Sequence, residues 1–176
     1  FYSQGLVLMN PLSILEIGPG RGALKKFITT TFPSLVKFYN SIDIYPIDDE
    51  VIQTDGWHIP YNLQIQGYDL ILASNVFQHL TIAQRRSYYQ DVMKSLAPGG
   101  SFSFSLWVTG RGGFKCEENG KEYICHYGQF TELQSHEEVL KDVTAVGLNN
   151  ISLSMRQSDG TMTFHCVKKT KPKESE

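Results

Sequence analysis

The sequence contains no apolar run approaching the roughly 20 residues that cross a bilayer, so no membrane partner is expected. It also lacks an excess of either charge. Sixteen basic residues stand against 18 acidic ones, a formal net charge of −2, which gives no global attraction to polyanions and argues against a dedicated nucleic-acid binder. Cysteine is scarce: Cys116, Cys125 and Cys166 cannot all pair within one chain and show no CxxC spacing. Free thiols in a reducing, cytoplasmic setting are the expectation. The opening residues FYSQGLVLMN lack the basic start and long apolar stretch of a secretory signal, and the missing initial methionine points to trimming or excision from a longer chain. No internal repeat and no interdomain linker is visible. With 176 residues, 41% apolar and 19% charged, one soluble domain around one hydrophobic core is expected over 1–168. The charged tail over 169–176 has nothing apolar to bury and is expected to be disordered.

What is present is an apolar strand running into a glycine-dense turn that opens a helix, ILEIGPGRGAL over 14–24. Glycines at 18, 20 and 22 let the backbone turn sharply and approach a ligand closely, and a helix start beyond them directs amide hydrogens at an anionic group. A nucleotide-like cofactor carrying a carboxylate or phosphate suits such a cradle. The spacing Gly18-x-Gly20-x-x-Ala23 also satisfies the dinucleotide fingerprint, so an NAD-binding domain is a rival reading.

Apolar and amphipathic stretches then alternate. LSILEI reads as a strand, 22–31 as a helix, VKFYNSID as a second strand, 51–53 as a short third, and YDLILAS as a fourth covered on both faces. Thr81 with Gln84 has capping-box spacing at the start of a helix, which the sequence APGG over 97–100 stops. SFSFSLWV follows as a fifth strand. In FKCEENGKEYICHY, Asn119-Gly120 predicts a hairpin inserted around 114–127, with Glu118 facing Lys121, Cys116 facing Tyr123 and Cys125 facing Phe114. The two cysteines are then not opposed, which disfavours a disulfide. Ser135 with Glu138 predicts a second capping box, a helix to about Val146 and a left-handed Gly147. ISLSMRQ and TMTFHCVKK close the chain as an antiparallel pair.

Asp43 ends the second strand, where an acid reaches both hydroxyls of a ribose, or merely caps the strand. Asp55, in QTDGWHIPY, is placed to accept from an adenine amine, with the Gly56 and Trp57 amides facing the ring edge and Trp57 or Ile44 as an apolar wall. In the order of these motifs the chain, over 12–168, resembles the class I S-adenosylmethionine-dependent methyltransferases. Glu16, Gly18, Pro19, Gly20 and Gly22 match that family's ELGPGxG motif, Asp43 its ribose acid and Asp55 its adenine acid. YDLILASNVFQHL and LAPGGSFSFS resemble its fourth-strand motif and the turn into its fifth strand.

The resemblance implies an α/β, Rossmann-like three-layer sandwich with a seven-stranded, mostly parallel sheet of order 3-2-1-4-5-7-6, the last strand antiparallel. It implies S-adenosyl-L-methionine as cofactor and methyl transfer as the reaction. The second acid and the terminal hairpin favour it over the NAD reading, which also requires a second mononucleotide half. Ser74, Asn75 and Val76 then fall near the cofactor's methionine end, with Asn75 as a contact to the amino group or the acceptor, or simply a turn residue. His79 is a candidate to orient or deprotonate an acceptor. His126 and Tyr127, on the inserted hairpin, are candidates to line the acceptor pocket. His58 is read as a surface residue.

No metal is expected, since Cys116, Cys125 and His126 fall short of a tetrahedral zinc set. Viral cap ribose methyltransferases use a Lys-Asp-Lys-Glu set whose aspartate would fall near Ser74 or Asn75, where no acid stands. The acceptor is read as a small molecule, with RNA as the alternative. Few residues precede the first strand, which implies an open pocket, and Arg85, Arg86, Arg111 and Lys115 are candidate phosphate contacts at its rim. A cofactor-binding module without catalysis is a third reading. Oligomeric state is not legible.

Overall fold

The computed structural model describes residues 10–108, 114–118, 121–126, 129–132, 134–155 and 161–169. The tail over 170–176 lies outside them, as does Tyr127, and so does the Asn119-Gly120 turn. β1 (Leu12–Ile17), β2 (Val36–Asp43), β3 (Val51–Gln53), β4 (Tyr68–Ala73) and β5 (Leu96–Trp107) pair in parallel. They alternate with α1 (Ala23–Thr31), the one-turn α2 (Tyr61–Gln64) and α3 (Ile82–Ser95).

An excursion of β6 (Phe114–Glu118), β7 (Lys121–His126) and β8 (Gln129–Glu132) forms a separate three-stranded sheet. The chain then returns through α4 (His136–Ala145) to β9 (Leu148–Met155) and β10 (Thr161–Lys168). The main sheet has the order β3-β2-β1-β4-β5-β10-β9. Leaving out the excursion, this is the expected 3-2-1-4-5-7-6, and β10 runs antiparallel to both neighbours.

The excursion is larger than the predicted hairpin. The register over 114–126 is the predicted one, Phe114 with Cys125, Cys116 with Tyr123 and Glu118 with Lys121, but β8 adds a third strand against β7. A second departure lies at 97–100. These residues stop α3 as expected, yet they already belong to β5, whose register against β4 slips between the Tyr68–Leu96 and Leu70–Ser101 pairs. A Cβ on Gly100 would come within 2.6 Å of the Tyr68 carbonyl oxygen, so the slip requires glycine.

Both capping boxes form: Thr81 Oγ accepts from the Gln84 amide and Ser135 Oγ from the Glu138 amide, with each N3 side chain reaching back. The Ser/Phe alternation of β5 turns Phe102, Phe104 and Leu106 to one face, where they are buried. Phe77 and Tyr89 stack with rings 5.5 Å apart, and Phe104 stacks between Phe102 at 4.7 Å and Phe164 at 4.9 Å. This aromatic column fixes α3 and the segment after β4 against the sheet. Among the described residues no helix is long and apolar enough to cross a membrane.

Candidate functional site

The carboxyl ends of β1, β2, β3 and β4 open on one cavity of about 400 Å³, which α3 closes on one side. That is where open parallel sheets hold ligands, because the loops diverge there and backbone amides are left unpaired. The volume lies in the range of small-ligand and cofactor sites.

The first wall is the turn after β1. Gly18, Gly20 and Gly22 all adopt left-handed backbone, at φ 68°, 55° and 68°. At Gly18 space matters as much as torsion: a Cβ there would lie 2.3 Å from Val76 Cγ2. Two loops thus touch where only a hydrogen fits. At Gly20, which lines the cavity, a Cβ would meet nothing within 4 Å, so the backbone faces open space. The Gly18 amide donates to Ile42 and the Gly22 amide to Pro19, leaving the Gly20 and Arg21 amides without partners among the described residues. The helix begins at Ala23, with Gly22 as its cap.

The second wall comes from β2 and β3. Asp43 lines the cavity beside Ile42 and Ile44, and one of its carboxylate oxygens accepts from the Tyr45 amide at 3.0 Å. Asp55 is differently placed. Gly56 and Trp57 line the cavity, but Asp55 does not. Its carboxylate accepts from the Trp57 and His58 amides at 3.0 and 2.9 Å and meets the His58 ring at 2.6 Å. Burial alone would raise its pKa, but the His58 ring and these two amides together hold it below the ordinary value. The Gly56 amide is bonded to Thr54 Oγ at 3.2 Å. Neither the Gly56 nor the Trp57 amide is therefore left facing a ring edge as the sequence suggested: a local Asx-type turn engages the Trp57 proton first. His58 is a turn partner of Asp55 as well as a half-exposed residue.

The third wall follows β4. Asn75, Val76, His79 and Leu80 line the cavity. Among the described residues Asn75 is the one non-glycine with positive φ, 57°, and its amide donates to Ser105 Oγ at 2.7 Å, so β5 holds the strained turn in place. The His79 ring bonds the Asn75 carbonyl, and burial outweighs that bond to lower its pKa, keeping the ring neutral at pH 7.

Glu16, Pro19, Gly22 and Ser74 do not line the cavity. Glu16 is buried against Tyr39, whose hydroxyl donates to it at 2.9 Å, and burial raises its pKa despite that bond and the nearby Lys25 charge. Strand alternation explains this, since the cavity face of the same strand end is given to Ile17. His126 ends β7 opposite Gln129. Among the described residues no three His, Cys, Asp or Glu side chains gather as metal ligands do.

The basic rim read from sequence is corrected at Arg85. Arg85 is fully buried and donates to the Phe77 carbonyl at 2.8 Å, Gln134 Oε1 at 3.0 Å and the Glu132 carbonyl at 3.0 Å. Arg86 is paired with Asp142 at 2.9 Å. Arg85 works as a clamp between α3, the turn at Phe77 and the end of β8, where Glu132 also accepts from the Ile82 amide at 2.6 Å. Arg111 lies outside the described residues, and Lys115 sits on β6.

No family model matches the sequence, and no curated protein matches it. Solved structures do. A 1,6-didemethyltoxoflavin-N1-methyltransferase from Burkholderia thailandensis, bound to 1,6-didemethyltoxoflavin and S-adenosylhomocysteine, is 14% identical, covers 92% of this chain and 73% of its own, and has TM-score 0.65. An S-adenosylmethionine-dependent methyltransferase from Clostridium acetobutylicum is 12% identical over 89% of this chain and 83% of its own, with TM-score 0.65. An S-adenosylmethionine-bound amino pentose methyltransferase from Micromonospora echinaspora is 16% identical over 88% and 82%, again with TM-score 0.65. The chain has the class I methyltransferase fold.

Within that methyltransferase fold, sequence reasoning missed the α3 side of the cavity, where Gln84 and Tyr88 stand beside Leu80. Tyr88 is buried and hydrogen-bonded to Thr54, so it props the loop that carries Gly56 and Trp57. The signal was available as the i, i+4 spacing of Gln84 and Tyr88 on one helix face.

Proposed function

We propose that this chain binds S-adenosyl-L-methionine in the cavity and transfers its methyl group to a small-molecule acceptor. The observation that carries the reading is the pairing, across one cavity, of the open Gly20 backbone with the Asp43 carboxylate. The unpaired amides beside Gly20 suit the carboxylate of the cofactor's amino-acid end. Asp43, with one oxygen beyond its bond to Tyr45, suits the ribose hydroxyls. A carboxylate has about four acceptor sites, and the three bonds that Asp55 makes to Trp57 and His58 leave one for the exocyclic amine of adenine. Gly56 and Trp57 flank that amine, and Ile44 and Val76 give the apolar walls.

When bound, the cofactor supplies a methyl already activated on sulfonium sulfur. The chain's own task is to orient a nucleophile behind it and keep water out. Asn75, fixed by Ser105, offers its side chain at the methionine end. His79, neutral and held by the Asn75 carbonyl, keeps its second ring nitrogen to orient an acceptor or take its proton.

The small-molecule choice is supported by the burial of Arg85, by the pairing of Arg86 with Asp142, and by the compounds named for similar structures, 1,6-didemethyltoxoflavin and an amino pentose. The test is calorimetry with S-adenosylmethionine, S-adenosylhomocysteine and NAD, followed by transfer of labelled methyl to a metabolite panel and to RNA. Binding of NAD alone overturns the cofactor. Salt-dependent binding and methylation of RNA overturn the acceptor class, and binding without any turnover leaves a non-catalytic binding module.

A further inference from the structure

Gln84 reaches the cavity from the first turn of α3 while also closing the helix cap. Its side-chain oxygen accepts twice from Thr81, from the amide at 2.9 Å and from the hydroxyl at 3.1 Å. Those two bonds fix the plane of the carboxamide and its sense, because the flipped group would set its hydrogens against the Thr81 amide hydrogen. Nε2 is therefore turned away from the cap, and it has no partner among the described residues. The chain thus presents a preset N–H₂ donor on a cavity wall whose other α3 residue, Tyr88, is tied to Thr54 at the β3 end.

Tyr88, one helical turn along from Gln84, thereby ties this wall to the segment that leads into the loop of Gly56 and Trp57. Resting on the cofactor reading above, we propose that Gln84 donates through Nε2 to a ring nitrogen of the bound adenine and so is a specificity-determining residue of the pocket. The chemistry is complementary to Asp55. A carboxylate accepts from the exocyclic amine and rejects a carbonyl there, whereas a carboxamide N–H₂ requires a lone pair, which adenine offers only at its ring nitrogens. Two partners of opposite sense read one purine from two sides. A ligand lacking the nitrogen leaves the donor unpaired in a partly dry wall.

The informative variant is Gln84→Glu. Glutamate serves a capping box as well as glutamine does, so the helix start is kept while the donor becomes an acceptor. Calorimetry with S-adenosylhomocysteine is expected to show affinity reduced about tenfold or more, with the thermal midpoint unchanged or raised. In the unmutated chain, analogues with N1, N3 or N7 replaced by carbon are expected to include one that binds poorly, and Gln84→Glu should be indifferent to that replacement. Equal affinity and equal discrimination in Gln84→Glu overturn the assignment. An unmutated chain that binds all three analogues as well as the parent overturns it without any variant. If the unmutated chain ignores S-adenosylhomocysteine altogether, the cofactor reading falls and the role of Gln84 with it, an outcome separate from the other two.

Discussion

The wall that β1 and β2 give the cavity is made of backbone, a left-handed glycine turn whose amides and torsions do the shaping, with one acid at the next strand end. The wall opposite, after β4 and along α3, is made of side chains positioned from far along the chain: Ser105 under Asn75, Thr54 under Tyr88, and Glu132 and Gln134 around Arg85. A backbone wall is specified locally and fails by torsion or overlap. A side-chain wall is specified by packing and fails when a distant partner is lost.

The comparison predicts its own breaking points. Arg85→Met removes the clamp and the three hydrogen bonds that Arg85 donates to the Phe77 carbonyl, Gln134 Oε1 and the Glu132 carbonyl, so it should destabilise by about 3–5 kcal/mol in urea unfolding. A cost under about 1 kcal/mol would mean that the α3 wall is not held from β8. Gly18→Ala attacks the other wall, and left-handed strain plus overlap with Val76 should amount to about 2–4 kcal/mol. Adding Val76→Ala should recover the overlap part but not the strain, and full recovery would show that torsion is unimportant there.

Asp43→Ala should leave folding intact and lower affinity for S-adenosylhomocysteine by about 1–3 kcal/mol in calorimetry. Unchanged affinity would remove the ribose from this acid. Thr81→Ala should cost about 1 kcal/mol of stability through the cap, and by releasing the Gln84 carboxamide it should also weaken ligand binding, whereas Ser135→Ala, the same cap on α4, should weaken only stability.

The smallest effect concerns His79. Its folded pKa is lowered by burial, so the unfolded chain binds a proton more readily, and the stability tied to the neutral ring is present above its unfolded value near 6.5 and lost as pH falls through the folded one. His79→Gln should flatten the acid-side slope of the melting temperature, and an unaltered slope would place the titrating group elsewhere.

The elements along the chain were largely legible, because β1 and β4 are marked by apolar runs and both capping boxes by side-chain chemistry three residues apart. The sheet order followed from the motif resemblance. The excursion was read too small, since β8 has only the residues 129–132 and no turn signal as strong as Asn-Gly to announce it. In the cavity lining, Gly18, Gly20 and Asp43 were legible because their placement depends on neighbours close in sequence. Arg85 was misread as a surface cation: nothing within a few residues of it reveals the carbonyl of Glu132, 47 positions on, that accepts its hydrogen bond. Asp55 was legible as an acid after β3, but the bonds it makes to its own turn, and its place behind Gly56 and Trp57 rather than in the cavity lining, were not.

The sequence by itself determined the strand succession, the glycine turn after β1 and the acid that follows it, because hydrophobic period, left-handed torsions and capping are properties of a few adjacent residues. Only the tertiary structure decided which side chains close the cavity opposite that turn. Packing brings Thr54 to Tyr88 and β8 to Arg85, and burial converts a charge into a clamp and a capping carboxamide into a wall, effects that exist only once distant segments have excluded water together.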